Sequence, residues 1–389
     1  MVLDLVDSAG PSSTKDRIFL MPQPPFTEVI KALPATVPFV GPEAQERTRG
    51  STFRARIGAN ESVFGPSPKA VAAMAAAAQD VWKYSDPDNH DLMRAVATFH
   101  NVRPENVVVI EGIDGGLGLA NRLFVNAGDA VVTSDGAYPT FNFHVAACGG
   151  RLIKVPFRDD KEDIDALLAA ANEHHARILY LTNPDNPMGS WWTSDDIDEL
   201  IRQLPEGTML ALDEAYIDTA PSGTAPPIDV SNPMVLRFRT FSKAYGMAGA
   251  RIGYCLGEAA VIQQFEKIRN HYGINRIAQI GAVAALEDQV YLAETVNRIA
   301  AARERISATA EANGLLPLPS ATNFVTIDCG RAGAYARTVL NGLLERDIFV
   351  RMPGVAPLDR CIRVGAGLPE DLTLFEAALP DVLQKASAT

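Results

Sequence analysis

Cysteine is scarce in this 389-residue chain, and its few occurrences exclude two kinds of cysteine-based site. Cys148, Cys255, Cys329 and Cys361 lie far apart and form no C-x-x-C pair. This spacing suggests neither a disulfide framework nor a zinc site. The six histidines show no metal-ligand spacing either, so we expect no metal, and separated thiols of this kind suit a reducing compartment.

Long apolar runs and concentrated positive charge are also missing. No apolar run reaches the roughly 18 residues that span a bilayer. The N-terminus carries Asp4 and Asp7 rather than a cationic segment followed by an apolar one. The formal net charge is -12 without any dense Lys/Arg run, so neither nucleic acid nor an anionic membrane is an expected partner. We expect a cytoplasmic protein.

The familiar phosphate-loop patterns are absent as well. There is no Walker loop, and Gly116-Leu117-Gly118 lacks the third glycine of G-x-G-x-x-G. Residues 112–116 nevertheless form a glycine-rich turn between a predicted strand and a predicted helix. A helix N-terminus at such a turn suits a phosphate, but glycines are also frequent there for steric reasons. The turn alone leaves both explanations open.

Short apolar runs alternate with helical segments between residues 106 and 240. The predicted strands are Val107–Ile110, Ala130–Thr133, Arg151–Val155, Arg177–Leu181, Met209–Asp213 and Met234–Phe238. This alternation predicts an α/β protein with a mostly parallel sheet covered by helices on both faces. Ligands of such sheets bind beyond the carboxyl ends of the strands, where several polar motifs of this chain occur.

The flanking regions predict an N-terminal arm and a second domain. Residues 1–45 are rich in Pro, Ser and Thr and form either a disordered tail or an arm on a partner subunit. Residues 46–80 and 315–389 are assigned to a small α+β domain. Residues 81–314 are assigned to the large domain, whose last segment, 276–312, is strongly helical and forms one bent helix or two.

Polar motifs follow three of the predicted strands. Lys243 lies in a turn between hydroxyl residues, and it is either a loop lysine or a nucleophile activated by desolvation or by condensation with a carbonyl. Asp213 ends a strand, where it caps a helix or pairs with a protonated ring nitrogen. Asn186 is held between Pro184 and Pro187 and could donate to a phenolate-like oxygen.

Together, these motifs resemble those of the class I/II pyridoxal phosphate aminotransferases of fold type I. The matching patterns are Asn-Pro-x-Asn-Pro-x-Gly, Asp-Glu-Ala-Tyr, Ser-Lys-Ala-Tyr-Gly and Gly-x-Arg-x-Gly, and they are most similar to the histidinol-phosphate aminotransferase branch. The resemblance runs from about Asn60 to the C-terminus. It implies a large domain with a mostly parallel seven-stranded sheet and a smaller α+β domain. It also implies pyridoxal 5'-phosphate, an amino-acid substrate, a 2-oxo acid and a homodimer.

The resemblance implies a role for each matching residue at the cofactor ring. Lys243 matches the lysine that forms a Schiff base with the cofactor, and Asp213 matches the carboxylate on the pyridinium nitrogen. Tyr138 matches the aromatic residue stacked on the pyridine ring. These three form the expected catalytic set. Asn186 and Tyr216 match the partners of the phenolic oxygen.

Further matches concern the cofactor phosphate and the substrate. Tyr84 matches a tyrosine that reaches the phosphate across a dimer interface. Arg363 matches the arginine that clamps the substrate α-carboxylate in two bonds, and Arg351 matches one near a substrate phosphate. Asn60 and Glu61 are expected to border the substrate. The residues that match the phosphate cup are Ile113, Asp114, Thr240, Ser242 and Arg251.

Several departures from this branch leave the substrate open. Ser62-Val63 follows Asn60-Glu61 where Asn-Pro is usual, and Asp185 and Met188 replace the more common Asn and Thr. We predict an enzyme of amino-acid biosynthesis that moves an amino group between an L-amino acid or amino phosphate ester and 2-oxoglutarate. The alternatives are a decarboxylase resembling threonine-phosphate decarboxylase, an aromatic amino-acid aminotransferase, and a non-enzymatic binding module of the same fold.

Overall fold

The structure is a computed structural model that describes residues 24–33 and 40–387. Most of the predicted arm over residues 1–45 lies outside the described residues. The strands are β1 Ala55–Arg56, β2 Val107–Ile110, β3 Ala130–Ser134, β4 Arg151–Val155, β5 Ile178–Thr182, β6 Met209–Asp213, β7 Val235–Thr240, β8 Gly253–Leu256, β9 Leu316–Pro317, β10 Phe324–Asp328, β11 Ile348–Phe349 and β12 Cys361–Gly365. The α-helices are α1 Glu28–Ala32, α2 Pro42–Arg49, α3 Pro68–Ala77, α4 His90–His100, α5 Gly112–Phe124, α6 Pro139–Ala147, α7 Ile164–Glu173, α8 Ser194–Arg202, α9 Ala259–Phe265, α10 Arg276–Glu287, α11 Gln289–Ala312, α12 Gly333–Leu344 and α13 Pro369–Ser387.

The largest sheet has seven strands in the order β2-β8-β7-β6-β5-β3-β4. The strands from β7 to β4 pair in parallel, and β8 runs antiparallel to both of its neighbours, β7 and β2. The prediction of a mostly parallel sheet is therefore confirmed. The strand β8 was not among the strands predicted from apolar runs, because it is only four residues long and begins at the last glycine of the Gly-x-Arg-x-Gly motif.

Helices cover both faces of this sheet, as the alternating pattern predicts. On one face Tyr180 of β5 packs with Leu117 of α5 and Phe141 of α6. On the other face Leu179 and Leu181 of the same strand pack with helices α7 and α8. Successive side chains of a strand point to opposite faces, so a strand buried on both sides must be apolar at nearly every position.

A second core lies around the short sheet β12-β10-β9, in which neighbouring strands are antiparallel. Ile299 and Ile306 of α11 pack into this core together with residues of α12 and α13. Ala278 and Ala282 of α10 pack instead into a core on the large sheet. The helical segment 276–312 is thus two helices, and the second one belongs to the smaller core.

The parallel register brings the polar motifs to one edge of the large sheet. Thr182 pairs with Asp213, and Asp213 pairs with Phe238. The segments that follow β5, β6 and β7 therefore leave the sheet side by side, and these segments carry Asn186, Tyr216 and Lys243. No helix in the described part of the chain is long and apolar enough to cross a membrane.

Candidate active site

A cavity of about 720 Å³ opens at this edge of the sheet, between the large and the small core. It contains every site residue predicted from the sequence except Tyr84. The predicted residues that line it are Asn60, Glu61, Ile113, Asp114, Tyr138, Asn186, Asp213, Tyr216, Thr240, Ser242, Lys243, Arg251, Arg351 and Arg363. Residues far apart in the sequence thus form one site.

The Lys243 side chain lies in this cavity. Its Nζ donates a hydrogen bond to the backbone oxygen of Asn60 at 3.1 Å. Burial, together with the positive charges of Arg363 and Arg251, lowers the pKa of Lys243 to about 8. Desolvation disfavours the charged form of an amine, and nearby cations add to this effect. The amine is therefore a better nucleophile at neutral pH than an exposed lysine.

Asp213 lies at the end of β6 and is 5% exposed. Its Oδ2 accepts a hydrogen bond from the Tyr180 hydroxyl at 2.8 Å, and its Oδ1 accepts one from the Ala215 N–H at 3.0 Å. Burial raises the pKa of Asp213 to about 6, although these bonds and Lys243 lower it. The carboxylate is oriented and remains mostly ionised at neutral pH.

Tyr180 is a site residue that the sequence did not reveal. It is fully buried in β5, and its ring stacks on Phe141 with the centroids 4.1 Å apart. In the sequence it appears only as one more apolar position of a strand. The signal that could have found it is the phenol itself, because a buried tyrosine hydroxyl needs a hydrogen-bond partner.

Asn186 and Tyr216 line the cavity but contact other side chains. The Oδ1 of Asn186 accepts a hydrogen bond from Arg363 Nη1 at 2.5 Å. The Tyr216 hydroxyl accepts one from Asn60 Nδ2 at 2.9 Å, and burial raises the pKa of Tyr216 to about 12. Tyr216 is thus a neutral phenol whose proton can be donated to a ligand. The predicted contact of both residues with a phenolic oxygen stays a prediction.

Asn60 was predicted to border the substrate, and in the structure it also contacts Lys243. It has a left-handed backbone with φ of 57° and is 4% exposed. Its backbone oxygen accepts from Lys243 and also from Nδ2 of Asn323 at 3.1 Å. Asn323, at the entrance to β10, was missed in the sequence because it lies 263 residues from Asn60. Glu61 is exposed, and its carboxylate lies 4.0 Å from Arg56.

Polar groups converge near the start of α5. The Ser242 N–H donates to Thr240 Oγ1 at 3.0 Å, and Arg251 Nη1 lies 3.5 Å from Ser242 Oγ. Arg251 Nη2 lies 3.5 Å from the Glu111 oxygen. Gly112 has a left-handed backbone with φ of 72°, which favours glycine, and a Cβ there would come within 2.3 Å of Arg251 Nη2.

The segment 112–116, predicted as a turn, is in fact the beginning of helix α5. Ile113 and Asp114 therefore lie in its first turn, where free backbone N–H groups and the helix dipole favour an anion. Asp114 Oδ1 is 3.0 Å from His144 Nε2. Tyr138 precedes α6 at its N-cap position, and burial raises the pKa of Tyr138 to about 12.

Two arginines lie on the small-core side of the cavity. Arg363 of β12 lies over the Phe324 ring at 5.1 Å, and burial lowers its pKa to about 10, so that it remains charged at neutral pH. Arg351 pairs with Arg363 through two backbone hydrogen bonds of 2.6 and 3.1 Å. The Arg351 Nη1 donates to the backbone oxygen of Val40 at 2.8 Å, so the segment before α2 closes this wall.

Tyr84 lies outside the cavity. Its side chain is 80% exposed and contacts Tyr272, with the ring centroids 4.9 Å apart. The predicted role across a dimer interface stays a prediction. No cluster of His, Cys, Asp and Glu that could hold a metal ion occurs among the residues that the structure describes.

The residues of the cavity fit pyridoxal 5'-phosphate. Lys243 provides an amine for the aldehyde, and Asp213 provides a buried carboxylate for the ring nitrogen. The hydroxyls of Thr240 and Ser242, the Arg251 guanidinium and the start of α5 provide donors for the phosphate.

Comparison with known proteins agrees with this fit. The family model "Aminotransferase class I and II" matches residues 56–375. Histidinol-phosphate aminotransferases of Moorella thermoacetica and Roseiflexus castenholzii are 30% and 34% identical, cover 92% and 85% of this chain, and are themselves covered over 93% and 89% of their lengths.

Solved structures show the same fold. The crystal structure of histidinol-phosphate aminotransferase from Sinorhizobium meliloti in complex with pyridoxal-5'-phosphate has 53% sequence identity and a TM-score of 0.91, covering 93% of this chain and 98% of that one. An aspartate aminotransferase mutant of Thermus thermophilus, at 22% identity and a TM-score of 0.79, covers 93% and 100% and supports the fold alone.

These findings confirm the predicted fold type I architecture, the aminotransferase activity and pyridoxal 5'-phosphate as the cofactor. The roles predicted for single residues stay predictions. The family model covers most of this chain and nearly all of the residues that line the cavity, so this chain belongs to the aminotransferase class I and II family.

Proposed function

We propose that this chain transfers an amino group from an amino phosphate ester of the histidinol-phosphate type to 2-oxoglutarate. The main support for this proposal is that Arg351 and Arg363 lie side by side on one wall of the cavity. Two guanidinium groups suit a dianionic phosphate better than a single carboxylate. The names of the relatives that cover most of the chain support the same substrate.

Lys243, Asp213 and the two arginines would each perform a separate task. When bound, the cofactor supplies an electron-withdrawing pyridinium ring for the Cα of the donor. Asp213 keeps the ring nitrogen protonated, because the buried carboxylate offsets its positive charge. The neutral Lys243 amine would take a proton from the donor Cα as a general base and deliver it, as a general acid, to the former aldehyde carbon of the cofactor. Arg363 and Arg351 orient the substrate by holding its anionic group.

The low pKa of Lys243 predicts how the apoprotein captures its cofactor. Only the neutral amine attacks an aldehyde, so the rate of reconstitution should rise with pH and reach half of its plateau near the Lys243 pKa of about 8. An exposed lysine would place this midpoint at about 10.4. Stopped-flow absorbance after mixing apoprotein with pyridoxal phosphate checks the value. A midpoint above pH 10 would show that burial does not tune this amine.

The hydrogen bond from Tyr180 to Asp213 predicts a second pH effect. In Tyr180→Phe the carboxylate loses a donor that lowers its pKa, so the pKa of Asp213 should rise above its present value of about 6. We expect the dissociation constant of the cofactor to increase about tenfold at neutral pH, because a hydrogen bond to a charged group contributes about 1.5–3 kcal/mol. Fluorescence titration of the apoprotein measures this. Tyr335→Phe is the control, because the Tyr335 hydroxyl lies outside the cavity, 3.3 Å from Ser387 Oγ.

A homodimer in the cytoplasm is part of the proposal. Trp82, Tyr84 and Tyr272 are 78%, 80% and 54% exposed, and clustered exposed aromatic residues are typical of protein–protein interfaces. Tyr84 and Tyr272 are in contact with each other. Light scattering of the active enzyme should give twice the chain mass of 41.8 kDa, and an active monomer would contradict this part.

Single turnover with a panel of amino donors tests the substrate and the reaction. We expect histidinol phosphate to convert the bound cofactor to pyridoxamine phosphate. Histidinol should be slower in kcat/KM by on the order of 10⁴-fold, because it lacks the phosphate that Arg351 and Arg363 would bind. Preference for phenylalanine or tyrosine would support the aromatic aminotransferase instead. Release of carbon dioxide with unchanged cofactor would support the decarboxylase.

A further inference from the structure

Two carboxyl groups are buried together behind the wall of the active-site cavity, and neither has a task in the proposed reaction. Glu162 precedes helix α7 and is 1% exposed, and Asp185 lies in the turn after β5 and is 2% exposed. The Thr182 hydroxyl lies between them, in contact with Glu162 Oε1 and 3.1 Å from Asp185 Oδ1. Placing two acidic groups in one buried site is costly unless one of them is neutral.

The groups that donate hydrogen bonds to this pair are all neutral. Ser134 Oγ donates to Glu162 Oε2 at 2.6 Å, and the Thr182 N–H donates to Glu162 Oε1 at 3.0 Å. The Met188 N–H donates to Asp185 Oδ2 at 2.8 Å. The Thr182 hydroxyl contacts both carboxyl groups, but it has one proton and can donate to only one of them.

This count of donors implies a proton between the two acids. Neither carboxyl group forms an ion pair with a described residue, and the single Thr182 proton can serve only one of them. Because two neighbouring buried carboxylates repel each other, one of the pair must be protonated. Burial raises the pKa of Asp185 well above its usual value, and the neighbouring Glu162 raises it further. Glu162 receives the larger number of donors, which favours its ionised form. Asp185 is therefore the member that carries the proton.

Asp185 also determines the shape of the turn that carries Asn186. Its N–H donates to the Ser190 oxygen at 2.8 Å, and its backbone oxygen accepts from the Gly189 N–H at 3.1 Å. The next residue, Asn186, accepts the 2.5 Å hydrogen bond from Arg363. A change in this turn would therefore alter the orientation of the Arg363 guanidinium in the cavity.

We propose that Glu162 and Asp185 share one proton and act together as positioning residues, which hold the turn of residues 183–189 so that Asn186 orients Arg363 toward the anionic group of the substrate. The kinetic part of this inference rests on the proposed aminotransferase function. The shared proton does not depend on that function.

Charged and titratable groups around the pair define what ionisation of Asp185 would do. Arg363 and Tyr216 face Asp185, and Tyr180 faces Glu162. A second negative charge would repel Glu162 across a buried contact. The turn would loosen, and the KM for the amino donor would rise as pH increases through the raised pKa of Asp185.

Two variants of Asp185 separate positioning from simple packing. Asp185→Asn imitates the protonated acid permanently, because its amide can donate to Glu162 and its oxygen can accept from Met188. We expect it to keep the KM for the donor within about twofold at neutral pH and to remove the increase of KM with pH. Asp185→Ala lacks both bonds and should raise KM about tenfold with a smaller change in kcat. Asp195→Asn, on the exposed start of α8, is the matched control.

The positioning role would be overturned if Asp185→Ala lowered the melting temperature or the urea midpoint of unfolding but left the KM for the donor unchanged. An increase of KM with pH that persists in Asp185→Asn would overturn it as well. If the protein transaminated no donor, the proposed function would be wrong. The shared proton could still be tested, because the unfolding experiment described next needs no substrate.

The pH dependence of unfolding tests the proton without substrate. A carboxyl group whose folded pKa is raised contributes stability that is fully present below its unfolded pKa, 3.8 for Asp, and is lost as pH rises through the folded pKa. Across this window the unfolding constant of the wild type should increase about tenfold per pH unit relative to that of Asp185→Asn. Parallel pH curves for the two proteins would overturn the proposal.

Discussion

Replacement of Lys243 by alanine is expected to reduce turnover by about 10⁴-fold, the upper range for removal of a general acid–base group. The same change should abolish the pH-sensitive absorbance that the protein acquires with pyridoxal phosphate. Both effects follow from one position: Nζ of Lys243 lies in the cavity that holds Asp213 and the Ser242–Arg251 cluster. Its lowered pKa of about 8 makes the free amine a competent base near neutral pH.

The measurements for this variant separate binding from catalysis. Equilibrium dialysis should show that Lys243→Ala still binds the cofactor, because the phosphate donors around Ser242 and Arg251 are unchanged. Lys267→Ala, at an exposed lysine of the same domain, is the control and should retain full turnover and absorbance. Retention of full activity in Lys243→Ala would contradict both the catalytic role and the expected covalent link.

Sequence patterns revealed the parallel part of the sheet because its strands are apolar at almost every position. Met209–Asp213 is buried throughout, and its bounds were predicted correctly. The short strands β1 and β9 have two residues each, too few for a period to be visible. Their existence depends on partners elsewhere in the chain, as in the pairing of Ala55 with Ile348.

The site residues also fall into two groups, those that stand in a local sequence motif and those that depend on contacts with distant parts of the chain. Lys243, Asp213 and Asn186 stand in motifs at strand ends, so the rule for ligand sites in parallel sheets places them together. Tyr180 and Asn323 act through hydrogen bonds to residues 33 and 263 positions away, and no local pattern encodes such contacts. The substrate side remained open for the same reason, since it combines Arg351 and Arg363 with the segment at Val40.

A buried ion pair next to Asp213 leads to the largest expected effect on stability. Glu214 is 1% exposed, and its carboxylate contacts Arg237 at 2.5 Å and Arg239 at 2.8 Å. Although burial raises the pKa of Glu214, Arg239 and Arg237 outweigh it and hold that pKa below its usual value. Arg237 also donates to the Pro226 and Pro227 oxygens, so its guanidinium is fixed in a buried site.

In Glu214→Gln the two guanidinium groups would lose their only shared carboxylate among the described contacts. Removing one partner of a buried pair leaves an uncompensated charge, and we expect the free energy of unfolding to fall by about 3–5 kcal/mol. The loss should be largest above the unfolded pKa of about 4.5 and should diminish as pH falls through the lower folded pKa, since the acid is then protonated in both states.

Urea unfolding followed by circular dichroism measures this loss, and Glu199→Gln provides the control because its pair with Arg202 is exposed on α8. The control should leave the unfolding midpoint unchanged. Repeating Glu214→Gln in an Arg237→Met background tests the cause, since the charge that needs the carboxylate is then smaller and the additional loss should shrink. An equal loss in both backgrounds would show that Glu214 stabilises the fold through packing rather than through the ion pair.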